Sequence, residues 1–333
     1  MARSTSTIVR SSNGTFPSFG QRHMTAQLGY LLPTRENVMR GEHGTDGIIT
    51  LAQTAADLGF DSLWVGDSVL ARPRHDPITM LAGVATAVPD VNLGTAVLVP
   101  MMRNPVLLAQ QLATVDQLSD GRLIVGVGIG ADNPGFRAEF EAMGVPFEKR
   151  VGTMMEQVDL MRTLWRGEPV EWNGRWTVNA SAGMAPNPAQ AGGPPLWLAA
   201  GVKPGIARAA KHFDGWFPIG PDAETFGKRH DYYGECLAEE GTKQSTTAIY
   251  LTICLDDDSA TADAAINAYM ADYYGAPPEI LRKIMACFGG SIEEVMAFIK
   301  GYVDAGADHV VLRLVSDHNT TLKALADNRH LLR

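Results

Sequence analysis

A connector that recurs along this chain constrains its fold more than any other feature. Leu58-Gly59-Phe60-Asp61, Leu118-Ser119-Asp120-Gly121, His212-Phe213-Asp214-Gly215 and Ala305-Gly306-Ala307-Asp308 each close a helical pattern and open an apolar run. Glycine or a small residue stops the helix, and aspartate makes a local turn. The strand that follows is continuously apolar, the mark of a parallel sheet buried on both faces. Such strand patterns begin near residues 26, 62, 91, 122, 196, 215, 247 and 309, each leading into a helical pattern. Eight strand–helix units predict an α/β fold, a closed (β/α)8 TIM barrel with insertions, over an open doubly wound sheet.

Local signals place the helices and interruptions. Thr45 is positioned to cap a helix carrying Ile48, Ile49, Ala52 and Ala55. Helices are predicted over 76–88 and 105–119, and over 134–166 with breaks near Pro134 and Pro146. A helical pattern runs from Ser259 to about Cys287, and Ser291 with Glu294 forms a capping box for the helix ending near Ala305. The Gly-, Pro- and Asn-rich stretch 169–195 holds a hairpin turn at Asn173-Gly174. Residues 1–23, with three arginines, no acid and no apolar core of a secretory signal, read as a disordered N-terminal extension. Residues 24–333 read as one domain with insertions near 168–194 and 256–290.

Composition narrows the partners. Of the 333 residues 45% are apolar, enough for a substantial core. The net charge of −9 argues against nucleic acid or an anionic membrane surface. An anionic ligand must therefore be held by local basic groups or backbone amides. No apolar run approaches the ~18 residues of a membrane span. The three cysteines, Cys236, Cys254 and Cys287, form no C-x-x-C and fit reduced thiols in a cytoplasmic protein.

One stretch invites a different fold. In DGRLIVGVGIGADNPG (120–135), Gly126, Gly128 and Ala131 match the G-x-G-x-x-G/A spacing of a dinucleotide-binding crossover. That fingerprint belongs in the first strand–helix unit, with a helix at its third position and an acid about 20 residues on. Here it follows the fourth strand, Asp132-Asn133-Pro134-Gly135 postpones the helix, and no acid ends a following strand. Two readings stay open for Gly128, Gly130 and Ala131: small residues at a barrel mouth that admit a flat ring, or close packing of helix on strand.

The chain as a whole resembles the bacterial luciferase-like monooxygenase family. The resemblance is carried by LGFDSLWVGD (58–67), LGTAVLVPMMRNPVLLAQQLATVDQLSDGRLIVGVGIG (93–130), EFEAMGVPFEKR (139–150), GGPPLWLAAG (192–201), HFDGWFPIGP (212–221) and SIEEVMAFIKGYVDAGADHVVLRL (291–314). It implies a flavin or deazaflavin at the C-terminal mouth of the barrel. It also implies a non-prolyl cis peptide at Ala96–Val97, an acid facing the ring at Asp67, and a phosphate loop over Gly201, Val202, Lys203 and Gly205, with Arg208 nearby. Backbone amides and a helix N-terminus suit a phosphate there.

Two positions depart from the family's deazaflavin-dependent dehydrogenases: Ser68 stands where they carry His, and Ala131 where the sugar-phosphate enzymes carry Glu. Both departures favour a monooxygenase that uses reduced FMN and O2, because the cofactor then supplies most of the chemistry. Coenzyme F-420-dependent hydride transfer is the alternative, weighed down by the scarcity of clustered Lys and Arg along the chain. A non-catalytic flavin-binding protein is the third reading. A metal-dependent hydrolase would need His-x-His after the first strand, which ends Leu31-Leu32-Pro33. Candidate catalytic residues are Arg72 and His75, beside Arg74 in the loop after strand two; Arg103 and Asn104 are secondary candidates. Expected partners are a small to medium organic substrate, fairly apolar and held under 256–290, a separate flavin reductase, and a second copy of the chain in a homodimer.

Overall fold

The computed structural model describes residues 26–241 and 245–333. The extension predicted over 1–23 lies outside them.

The strands are β1 Gln27–Leu31, β2 Ser62–Val65, β3 Asn92–Leu98, β4 Leu123–Val127, β5 Val170–Asn173, β6 Thr177–Ala180, β7 Leu196–Leu198, β8 Gly215–Trp216, β9 Thr246–Leu255, β10 Cys287–Gly290 and β11 His309–Leu314. Eight of them close a parallel ring in the order β11-β1-β2-β3-β4-β7-β8-β9, with β9 pairing back to β11. These are the eight strands that the connectors predict. Their apolar runs are buried on both faces: all five residues of β4 and all six of β11 are buried.

Strand alternation divides the core in two. On β11, Val310, Leu312 and Leu314 pack outward under the helices, while Val311 joins Trp64, Trp197, Phe217 and Tyr250 inside the barrel. The inward positions of β11 are therefore His309, Val311 and Arg313, stepping from floor to mouth. On the floor, Ser62 sits between the His309 ring nitrogen Nε2 (2.6 Å) and the Trp64 indole N–H that it accepts (2.6 Å).

The hairpin predicted around Asn173-Gly174 is present, and a further strand joins the sheet. β5 and β6 form the antiparallel hairpin turning at Asn173-Gly174. The stretch 256–290 is only partly helical: the helix Ser259–Tyr274 ends at Gly275, and β10 follows as a ninth parallel strand. β8 is two residues long and pairs with Thr246 and Thr247 at the start of β9, leaving the far end of β9 open. β10 fills that gap against Thr252–Leu255. Ala286-Cys287-Phe288-Gly289 looked like the end of a helix because its strand role depends on a neighbour's shortness.

The capping box at Ser291 and Glu294 is present. Thr45 does occupy the N-cap, but its side chain makes no capping bond. No helix among the described residues is long and apolar enough to cross a membrane.

Candidate active site at the barrel mouth

The floor of the mouth is the end of β3. Its register with β4 breaks between Thr95 and Leu98, and the Ala96–Val97 peptide is cis. Ala96 and Val97 are half-exposed while Thr95 and Leu98 on either side are buried, so this peptide faces open space. Val97 leans on Gly128, where an added Cβ would stand 2.8 Å from Val97 Cγ2. Gly130 has φ +73° and packs under the Phe140 ring, 3.0 Å from where its Cβ would be. Close packing within the chain thus accounts for both glycines, and Ala131 lies exposed beyond them.

Asp67 is engaged by protein groups on both oxygens. It accepts from Arg103 at 2.7 and 3.0 Å, and its Oδ2 also accepts the Val99 amide at 2.9 Å. Arg103 reaches on to Asp76 (2.9 Å), the N-cap of the helix Pro77–Ala87. Where the resemblance makes Asp67 a ring acceptor, the structure makes it the tie between the ends of β2 and β3. Asn104 caps the helix Pro105–Leu118 through the amides of Val106 and Leu107, a structural duty. His75 is held between the loops, its ring nitrogens 3.2 Å from the Thr34 carbonyl and 3.0 Å from that of His43.

Ser68, in place of the His of the dehydrogenases, donates to a buried carboxylate, Glu139 (3.2 Å to each oxygen). Glu139 also accepts the amides of Val69 and Leu70 (2.8 Å for Leu70). Sequence reasoning did not single out Glu139; its only signal is an acid at a buried helical position.

The opposite wall is a cage of arginines and tyrosines. Arg313 donates to the hydroxyls of Tyr274 (2.6 Å) and Tyr273 (2.9 Å) and lies 4.0 Å over the Tyr273 ring. Its Nε stands 3.9 Å from Glu36, which accepts the Tyr269 hydroxyl. Arg35 donates to the Tyr273 carbonyl (3.1 Å). Arg72 lies over Tyr274 at 4.5 Å, and the Arg74 guanidinium occupies the space above Gly66, beside the Ala96 carbonyl. Burial pushes the Arg35 and Arg72 guanidiniums down and the Tyr250 hydroxyl well up, so Tyr250 stays a hydrogen-bond donor. Tyr250 Oη, Arg313 Nε and Arg35 Nε are buried with no hydrogen-bond partner. The sequence signal for Arg313 was legible: one arginine in HVVLRLV with the inward parity of His309.

Across the mouth, Ala200-Gly201-Val202 leads into the helix Lys203–His212. Gly201, Val202 and Lys203 are exposed, and Gly205 is buried against Ala200, where a Cβ would approach 2.8 Å. Arg208 is half-buried a turn further on. The helix Ala223–Glu239 adds an arginine that the sequence did not suggest: Arg229 anchors on the Gly220 carbonyl (2.7 Å) with Nη1 about 3.6 Å from the Cβ position of Gly201. Trp197 and Trp216 are core side chains, as expected.

The residues fit a flavin-like cofactor on two counts. The half-exposed Ala96–Val97 peptide, with only methyl and isopropyl side chains, offers a small-residue floor, and exposed residues 201–203 beside Arg229 offer an anion cradle.

Comparison with known proteins agrees with this geometry. A family model described as luciferase-like monooxygenase matches residues 26–309. An F420-dependent glucose-6-phosphate dehydrogenase of Kineococcus radiotolerans is 30% identical over 78% of this chain and 84% of its own. A namesake from Nocardia farcinica is 33% identical, matched over 51% of each chain, so about half of that enzyme. Among solved structures, an F420-dependent secondary alcohol dehydrogenase in complex with an F420-acetone adduct superposes with TM-score 0.77 at 23% identity, covering 93% of this chain and 100% of its own. The monooxygenase RslO1 from Streptomyces bottropensis superposes at 0.78 and 22%, covering 90% and 98%.

Proposed function

The chain belongs to the luciferase-like monooxygenase family, and we propose that it is an F420-dependent oxidoreductase moving hydride between the deazaflavin and a small organic substrate. The relatives matched over most of their length support the cofactor choice. The observation that carries it in the structure is Arg229 beside Gly201, next to the exposed Lys203 in sequence. Folding brings to the cradle the positive charge that looked scarce along the chain, and a cofactor with a multiply charged tail calls for it.

Bound there, the cofactor supplies two-electron hydride chemistry at its ring. The chain supplies the setting. The amides of 201–203, with Lys203 and Arg229, bind the phosphate end. Ala96 and Val97 support the ring, and the Asp67–Arg103 pair keeps the ends of β2 and β3 in fixed relation beneath it. The helix Ser259–Tyr274 brings Tyr269, Tyr273 and Tyr274 against Arg313 at the mouth, where their rings limit water. Tyr250 Oη offers an O–H to a substrate oxygen.

Reduced-FMN monooxygenase chemistry is the second reading, favoured by Ser68 and Ala131, which remove the acid–base pair of the sugar-phosphate enzymes. Equilibrium titration of the purified protein with F420 and with reduced FMN separates the two. Selective F420 binding with substrate-dependent bleaching of its absorbance is expected; retention of FMN alone overturns the proposal.

A further inference from the structure

Among the described residues, charge at the mouth is not balanced. Four guanidiniums, of Arg35, Arg72, Arg74 and Arg313, gather around the Tyr273–Tyr274 pair, and the one carboxylate described among them is Glu36. Asp67 and Asp76 do not help, because Arg103 already pairs with both. Buried or half-buried like charges repel strongly in a low-dielectric setting and are ordinarily paired.

These arginines also have unused donors. Arg72 makes ring contacts with Tyr274 and Phe136, and no protein acceptor among the described residues takes its guanidinium. Arg74 spends only its Nε, on the Arg72 carbonyl (3.1 Å). Arg313, 5% exposed, and Tyr250, 6% exposed, add a buried Nε and Oη that make no hydrogen bond, the Nε having only the Glu36 carboxylate at 3.9 Å. Leaving a buried donor without an acceptor is costly, more so when it is charged, so several in one place point to a group that accepts from them.

We propose that this cage is the subsite for an anionic group, a carboxylate or a phosphate ester, on the substrate. The inference rests on the F420 reading and deepens it: the substrate is a small organic anion rather than the fairly apolar compound the sequence suggested. The cage gathers the ends of β9, β11, β1 and β2 with the 259–274 helix, whereas the cradle for the cofactor's phosphate lies at 201–205 after β7. The fork of arginine suits the planar oxygens of either anion, and Tyr273 and Tyr274 hold the forks in place by stacking.

The test is calorimetric titration of the F420-loaded protein with inorganic phosphate and, separately, with succinate, alongside F420 titration followed by its own absorbance. One of the two anions is expected to saturate a single site, and R72Q/R74Q to weaken it about tenfold or more with F420 affinity within about twofold. R72K/R74K should recover only part of the affinity, since lysine lacks the fork; it also serves if the glutamine variant does not fold. Which anion saturates identifies the source chemistry. Failure of both anions to saturate, or saturation unchanged in the variants, overturns the proposal. A parallel loss of F420 affinity in the variants also overturns it and assigns the cage to the cofactor. If the wild-type protein does not bind F420 at all, the cofactor reading fails by its own absorbance, and the anion titration is then judged on the FMN-loaded protein.

Discussion

Asp67 and Arg103 are joined by two hydrogen bonds of 2.7 and 3.0 Å, with side chains 2% and 14% exposed. The pair ties the loop after β2 to the loop after β3, directly beyond the cis Ala96–Val97 peptide. D67N leaves Arg103 with Asp76 as its remaining carboxylate and removes a charge-assisted pair, and it is expected to cost about 1–3 kcal/mol. Urea denaturation measures it; a loss under about 1 kcal/mol would show that the pair is dispensable.

Trp64 fills the barrel because its neighbours on both flanking strands lack side chains. A Cβ on Gly94 would collide with the Trp64 ring, and one on Gly29 would stand 2.5 Å from its Nε1. G94A is expected to destabilise by about 1–3 kcal/mol through overpacking. Adding W64F should recover part of that loss, and thermal melts of the two single variants and the double variant read the coupling.

The buried imidazole of His309 sets a pH dependence. Burial, with help from Arg329, pushes its pKa down to about 3. Between pH 6.5 and 3 the unfolded chain therefore takes up a proton that the native ring refuses. Stability falls as pH drops through that window, by up to about 1.4 kcal/mol per pH unit from this group, and is unaffected above it. H309N should show a shallower decline in chemical denaturation from pH 7 to 4. Equal slopes in the two proteins would count against a neutral native His309.

Arg229 lies beside the exposed Gly201, on the far side of the mouth from the arginine cage. R229Q is expected to weaken F420 binding about tenfold, by loss of one charge-assisted contact. The loss should shrink as salt rises, because screening already weakens the wild-type contact. An affinity unchanged at low salt would remove Arg229 from the cradle.

Glu139 pins the loop carrying Val69 and Leu70, which are 43% and 56% exposed, through two amides and the Ser68 hydroxyl. E139A should release the loop and leave those donors unpaired, a cost of about 1–3 kcal/mol. Faster limited proteolysis near residues 69–72 is the readout, and an unchanged cleavage pattern would argue for a loop held by other contacts.

Period and punctuation in the sequence determined the barrel. Each strand was legible because burial on both faces makes it continuously apolar, and each helix stop because only small or turn-forming residues end a helix and start a strand so briefly. The motif at 93–130 likewise located the cis peptide through its resemblance to a family. Tertiary structure alone decided the chemistry of the mouth. Arg313 shows its inward parity in the sequence, but its partners Tyr273, Tyr274 and Glu36 lie 40, 39 and 277 residues away along the chain. Arg229 reaches Gly201 from the next strand–helix unit, and β10 is a strand only because β8 ends early. Local pattern encodes which face of an element is buried; which charges meet at the strand ends is set by barrel closure, which brings together loops that the sequence keeps far apart.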